Sequence, residues 1–86
     1  MSYKIAKAEV QRIVNKYDPD GLLALGAPQD EYENSVNKIM SLFHDTRTLD
    51  PNSLNALFPS CLHIDFTAFC AELLAALTQV YDWSKD

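Results

Sequence analysis

The chain has 86 residues, of which 48% are hydrophobic and 22% are charged, with twelve acidic residues against seven basic ones and a net charge of −5. This composition predicts one globular domain over residues 1–86 and excludes a disordered or collagen-like chain. No apolar run reaches the roughly 20 residues of a membrane span, and the N-terminus lacks the apolar stretch of a secretory signal. We therefore expect a cytoplasmic protein with no membrane partner.

The charge is unevenly distributed along the chain. Residues 1–17 are net positive, whereas residues 18–50 and 51–86 are net negative. Nucleic-acid binding requires clustered cations that displace counterions, so this acidic chain is not expected to bind nucleic acid. An unidentified protein partner of basic character is the electrostatically favoured one.

The first predicted element is an amphipathic helix over residues 3–17. It ends at the Asp-Pro-Asp-Gly sequence of residues 18–21, because Pro19 disfavours a helical residue before it and Gly21 tolerates a positive φ. The apolar face of this helix recurs at spacings of three and four and comprises Ala6, Val10, Ile13, Val14 and Tyr17.

An apolar connection follows at residues 21–28, and it is too short and too rich in Gly and Pro for a long helix. Loops normally face water, so we expect Leu22, Leu23 and Leu25 to turn into the core. The alternative is an exposed apolar surface that binds a partner or a second copy of the chain. Tyr17 and Tyr32 flank this segment, and their hydroxyls are expected to reach a carboxylate or backbone group.

The second helix is predicted from near Pro28 to about His44, with acidic residues in its opening turns where the helix dipole favours them. A short third helix is expected from Pro51, capped by Asp50, and it ends before Pro59. The apolar positions of these two helices are Tyr32, Val36, Ile39, Met40 and Phe43, then Leu54, Leu57 and Phe58.

The last helix is predicted over roughly residues 65–83, and either Asp65 or Ser60 caps it. Its apolar stripe comprises Phe66, Phe69, Cys70, Leu73, Leu74, Leu77, Val80 and Tyr81. Period-two patterns typical of strands are nearly absent. The fold class is therefore predicted as all-α, a four-helix bundle with an apolar loop between helices one and two.

Residues 17–23, Tyr-Asp-Pro-Asp-Gly-Leu-Leu, and residues 26–32, Gly-Ala-Pro-Gln-Asp-Glu-Tyr, carry a family resemblance. This pattern, continued by Ile39 and Leu42, resembles the YugE-like family of small bacterial helical proteins, a domain of unknown function. The resemblance implies an all-helical bacterial cytoplasmic protein without an established activity. Related sequences are similar to immunity proteins that bind and block a secreted toxin.

The acidic segment around the apolar connection is the candidate site. An acidic patch suits the docking of a cationic partner, because complementary charge accelerates encounter. The simpler interpretation is a helix end and a helix start with solvated carboxylates. The candidate partner-binding residues are Asp18, Asp20, Asp30, Glu31, Tyr32 and Glu33.

No catalytic residue, metal ligand or cofactor is predicted. Two cysteines without an export signal are expected to be reduced and apolar in role. A Cys61–His63–Asp65 nucleophile set is disfavoured because residues two apart do not face each other on a helix. The sequence thus favours a non-catalytic protein-binding module, monomer or homodimer, and the alternative is a carboxylate-based metal-binding, ligand-binding or enzymatic domain.

Overall fold

Four α-helices make up most of the described chain, which comprises residues 2–28, 30–59, 61 and 64–80 of this computed structural model. Helix α1 spans Ser2–Tyr17, α2 spans Glu33–Thr46, α3 spans Pro51–Leu57 and α4 spans Phe66–Val80. The described residues contain no strand. The all-α fold class is therefore confirmed.

Helices α1 and α4 form the central pair, because they pack against each other, while α2 packs against α1 and α3 packs against α4. The C-terminal end of α1 lies beside the N-terminal half of α4, where the rings of Tyr17 and Phe69 are 4.8 Å apart between centroids. Phe58, just after α3, contacts the same ring of Phe69 at 6.3 Å. Aromatic contacts thus join three of the four helices at one end of the bundle.

The predicted apolar faces form the core. Every position of the α1 stripe is buried except Tyr17, which is partly exposed, and every position of the α2 stripe is buried. In α4, Leu74 and Val80 lie at the edge of the core, and Tyr81 lies outside the described residues. The fully buried large side chains include Tyr32, Phe58, Phe69, Ile13, Ile39, Met40, Leu54, Leu73 and Leu77.

A polar contact accompanies the aromatic one between α1 and α4. The Lys16 Nζ atom donates to Glu72 Oε1 at 2.7 Å. This hydrogen bond is the largest cause of a lowered pKa of Glu72, and a hydrogen bond from the Tyr17 hydroxyl is the next largest. The hydrogen bond between Tyr17 and Glu72 also raises the pKa of Tyr17. Both Lys16 and Glu72 are solvent-accessible, so the pair orients the two helices more than it stabilises them.

Two aspartates cap helix N-termini. Asp50 accepts a hydrogen bond from the backbone N–H of Asn52 at 2.7 Å, which confirms the predicted start of α3. Asp65 Oδ1 accepts from the backbone N–H groups of Thr67 at 2.9 Å and Ala68 at 3.2 Å, so this residue caps α4. The other candidate cap, Ser60, lies outside the described residues.

The predicted start of the second helix is wrong by about one turn. Residues before Glu33 form turns in which the N–H of Glu31 bonds to the carbonyl of Pro28, and the N–H of Glu33 bonds to that of Asp30. Asp30 and Glu31 therefore precede the helix, and only Glu33 lies in its first turn. The physical reason is that these two N–H groups bond to carbonyls three residues back rather than four, so the residues before Glu33 form tight turns instead of an α-helix.

The two cysteines are buried apolar residues, as predicted. Cys61 is 3% exposed and Cys70 is 4% exposed, and neither forms a disulfide. Burial raises the pKa of the Cys70 thiol, with a smaller contribution from the negative charge of Asp50. None of the described helices is long and apolar enough to cross a membrane.

We predict that Phe69→Ala lowers the free energy of unfolding by about 3–5 kcal/mol, because it empties a fully buried ring site between α1, α3 and α4. Leu25→Ala, at an 84% exposed side chain, is the matched control and changes stability by less than about 0.5 kcal/mol. Urea denaturation followed by circular dichroism measures both values. Equal stabilities of the two variants would contradict this account of the core.

Candidate functional site

The loop between α1 and α2, residues 18–28 and 30–32 (the connecting loop), is organised around one carboxylate and one phenol. The Tyr32 hydroxyl donates to Asp18 Oδ1 at 2.7 Å. The same hydroxyl oxygen accepts the backbone N–H of Asp20 at 3.0 Å and that of Leu22 at 3.4 Å. Because only 2% of Tyr32 is exposed, this phenol is a buried anchor for the loop.

Asp18 ends α1 and begins the loop. Its backbone N–H still bonds to the carbonyl of Val14 at 2.8 Å, but its φ of 47° is left-handed, which stops the helix. Aspartate tolerates this conformation better than most residues do. The turn directs both carboxylate oxygens back over the loop, where Oδ1 accepts the N–H of Leu23 and Oδ2 accepts that of Ala24, each at 3.0 Å.

Backbone hydrogen bonds close the rest of the connecting loop into a compact turn. Gly21 and Gly26 have φ values of 68° and 96°, which only glycine adopts without strain. Between them, the N–H of Leu25 bonds to the carbonyl of Gly21 at 3.2 Å, and the N–H of Ala27 bonds to that of Leu22 at 3.0 Å. The segment is therefore a tight turn rather than a long helix, as its length and its Gly and Pro content predicted.

The leucines of the loop do not all point the same way. Leu22 and Leu23 are partly buried and pack against the core, as predicted. Leu25 is 84% exposed, so the prediction that it turns inward is wrong. Leu25 directly precedes Gly26, whose positive φ of 96° turns the chain, and its side chain lies on the solvent side of this turn.

The environment of Tyr32 raises its pKa to about 12. Burial is the largest cause, followed by the hydrogen bond to Asp18, and the two backbone N–H donors act in the opposite direction. The phenol therefore stays protonated at neutral pH and serves as a hydrogen-bond donor. This role agrees with the prediction that the tyrosine hydroxyls reach a carboxylate, and Tyr17 does the same at Glu72.

The six candidate site residues divide into two groups. Asp18 and Tyr32 bond to each other inside the loop, so their polar atoms are used within the molecule. The other four, Asp20, Asp30, Glu31 and Glu33, have exposed side chains, and none of them forms an ion pair with a described residue.

The described residues offer no metal site. No three His, Cys, Asp or Glu side chains among them lie where they could hold a metal ion. Asp65, a member of the nucleophile set considered above, caps α4, while His63 lies outside the described residues. His44 is exposed in the last turn of α2.

Comparisons with protein-family models, with curated proteins and with solved structures found no match. The resemblance to the YugE-like family therefore stays a prediction, and the site is interpreted from its geometry.

We predict that Tyr32→Phe lowers the free energy of unfolding by about 1–3 kcal/mol, because it removes one of the two donors to Asp18 Oδ1 and leaves the Asp20 N–H without its acceptor. Tyr3→Phe is the matched control, since Tyr3 is 44% exposed. Urea denaturation at neutral pH measures the difference. An equal effect of the two substitutions would show that the buried phenol is dispensable.

The stability difference between wild type and Tyr32→Phe is also expected to depend on pH in the alkaline range. Because the folded-state pKa of Tyr32 is raised from 10.0 to about 12, its contribution to stability is fully present below pH 10 and is lost as the pH rises through 12. We therefore expect the stability difference between wild type and Tyr32→Phe to shrink over this interval. A difference that stays constant from neutral pH to pH 12 would contradict the raised pKa.

We predict that Asp18→Asn also destabilises the protein, by about 1–3 kcal/mol, because one carboxylate oxygen becomes an NH₂ group that cannot accept a backbone N–H, so the bond from either Leu23 or Ala24 is lost. Asparagine tolerates the left-handed backbone, so the substitution isolates the hydrogen bonds from the backbone conformation. Amide hydrogen exchange is expected to accelerate at whichever of Leu23 and Ala24 faces the new NH₂ group. Unchanged exchange at both amides would exclude the carboxylate as the acceptor.

Proposed function

We propose that this chain is a non-catalytic protein-binding module of the bacterial cytoplasm, and that its connecting loop binds a basic partner protein. The observation that carries the proposal is the Asp18–Tyr32 hydrogen bond, which holds the loop while four neighbouring carboxylates face solvent. The binding surface proposed here consists of Leu25 with the exposed carboxylates of Asp20, Asp30, Glu31 and Glu33, and we call it the acidic loop surface.

Order in the free protein supports this proposal. A loop that is already held in one conformation loses little conformational entropy when it binds, so more of the contact energy appears as affinity. Here one phenol and one carboxylate bond four backbone N–H groups within the connecting loop, those of Asp20, Leu22, Leu23 and Ala24.

The composition of the acidic loop surface supports a protein partner. Leu25 exposes 84% of its side chain, and an apolar residue in a polar rim is the pattern of an interface anchor. The surrounding carboxylates favour a cationic partner and disfavour an anionic one. An 86-residue domain needs most of its apolar residues for its core, so an exposed leucine on an ordered loop is notable.

Two further observations support the cellular setting and the partner class. Cys61 and Cys70 are buried and form no disulfide, as expected in a reducing compartment. The resemblance to the YugE-like family favours an immunity-like inhibitor of a basic toxin domain. In that role the acidic loop surface covers a cationic active-site cleft and blocks access to it.

We predict that the tagged protein retains a basic protein from lysate of its source cells at low salt, and that the purified pair dissociates as salt rises. Binding is then measured by calorimetry with the identified partner. Leu25→Glu and Glu31→Lys are each expected to weaken binding by about tenfold or more, because one removes the apolar anchor and the other reverses a rim charge.

Asp45→Lys is the charge-matched control, because Asp45 is also an exposed acid but belongs to α2 rather than to the loop. It should bind the partner within about twofold of wild type, apart from the general effect of net charge. Recovery that is insensitive to salt, or equal binding by Glu31→Lys and Asp45→Lys, would refute the acidic loop surface as the binding site.

A further inference from the structure

A second surface, remote in sequence from the connecting loop, lies along α2 and α3. It is an open groove of about 430 Å³ lined by Asn37, Lys38, Ser41, Leu42, Asp45 and Leu57. A smaller cavity of about 110 Å³ continues it, because Leu42 lines both, and this extension also contacts Leu49 and Asp50. Leu42 and Leu57 are the apolar side chains that line the groove.

The charges along this groove are not symmetrical. Lys38 and Asp45 are seven residues apart on α2, which is two helical turns or about 10 Å. Neither forms an ion pair with a described residue. Asp50 adds a second carboxylate in the smaller cavity. The groove is therefore anionic at one end and cationic at the other, and it suits an occupant whose cation lies beside Asp45.

The outer face of α1 has the complementary pattern. Lys4, Ile5, Ala8 and Arg12 follow spacings that place them on one side of a helix, and all four are exposed. Ile5 is 53% exposed and gives this face an apolar centre. Lys4 forms no ion pair with a described residue, whereas Arg12 is neutralised by Glu9 at 2.7 Å. One end of the face thus carries an uncompensated cation.

We propose that the groove binds the outer face of α1 from a second copy of this chain. Ile5 packs on Leu42 and Leu57, Lys4 lies beside Asp45, and the neutralised Arg12–Glu9 end extends toward Lys38. This is the helix-in-groove mode of recognition, in which apolar residues on one helix face supply contact area and flanking charges set direction. The proposal does not depend on the acidic loop surface.

The contact is between two different surfaces of the same chain. Reciprocal exchange between two copies gives a closed dimer, and non-reciprocal contact gives an open chain of copies. Because a single helix in a groove is a small interface, we expect the association to be weak.

Sedimentation velocity of the full chain, from micromolar concentration to about 1 mM, tests the proposal. The wild-type sedimentation coefficient is expected to rise with concentration. Ile5→Glu and Asp45→Lys are each expected to weaken self-association by about tenfold, and both positions are exposed, so the fold is retained. Thermal melting followed by circular dichroism checks that both variants are folded.

The charge-reversed double variant Lys4→Glu/Asp45→Lys separates this contact from other modes of dimerisation. It restores the attraction with swapped signs, so we expect self-association within about threefold of wild type. Leu25→Glu is the control, since it alters the acidic loop surface and leaves self-association unchanged. A wild-type chain that stays monomeric throughout, or self-association unaffected by Ile5→Glu, overturns the proposal, and neither result bears on partner binding by the loop.

Discussion

The hydrogen bond between the Tyr32 hydroxyl and the Asp18 carboxylate is the constraint on which the arrangement of this protein depends. It joins Asp18, the residue after α1, to Tyr32, the residue before α2, and so spans the whole connecting loop. Because the phenol is buried, its hydroxyl needs polar partners, and the loop backbone supplies them. Core packing of α2 and the conformation of the loop are therefore coupled through one side chain.

The acidic residues of this chain have different roles because their carboxylates point in different directions. Asp18, Asp50 and Asp65 bond backbone N–H groups and determine where elements begin or end. Asp30 and Glu31 face solvent and leave their charge available to a partner. The acidic residues that give the chain its net charge of −5 therefore form two groups. One group bonds the backbone, and only the solvent-facing group is available for recognition of a partner.

Exposed apolar residues are informative in a domain of this size. The bundle uses nearly all of its large hydrophobic side chains in one core, and Leu25 and Ile5 are prominent exceptions among the described residues. Leu25 lies on the connecting loop, and Ile5 lies on α1 next to Lys4 in the sequence. The two proposals place different partners on these two sites, a foreign basic protein at the loop and a second copy of the chain at α1.

The sequence by itself predicted four helices, most of their buried faces and the cap at Asp50, because periodicity and capping act within a few residues of each other, whereas it left Asp65 and Ser60 open as caps of the last helix. Only the tertiary structure decided that the second helix starts at Glu33 and that Leu25 faces water. Both lie in or next to the loop that Tyr32 holds by bonding to Asp18, fourteen residues earlier. Local sequence propensity does not predict the contact between Tyr32 and Asp18, because this contact forms only after α1 and α2 have packed together.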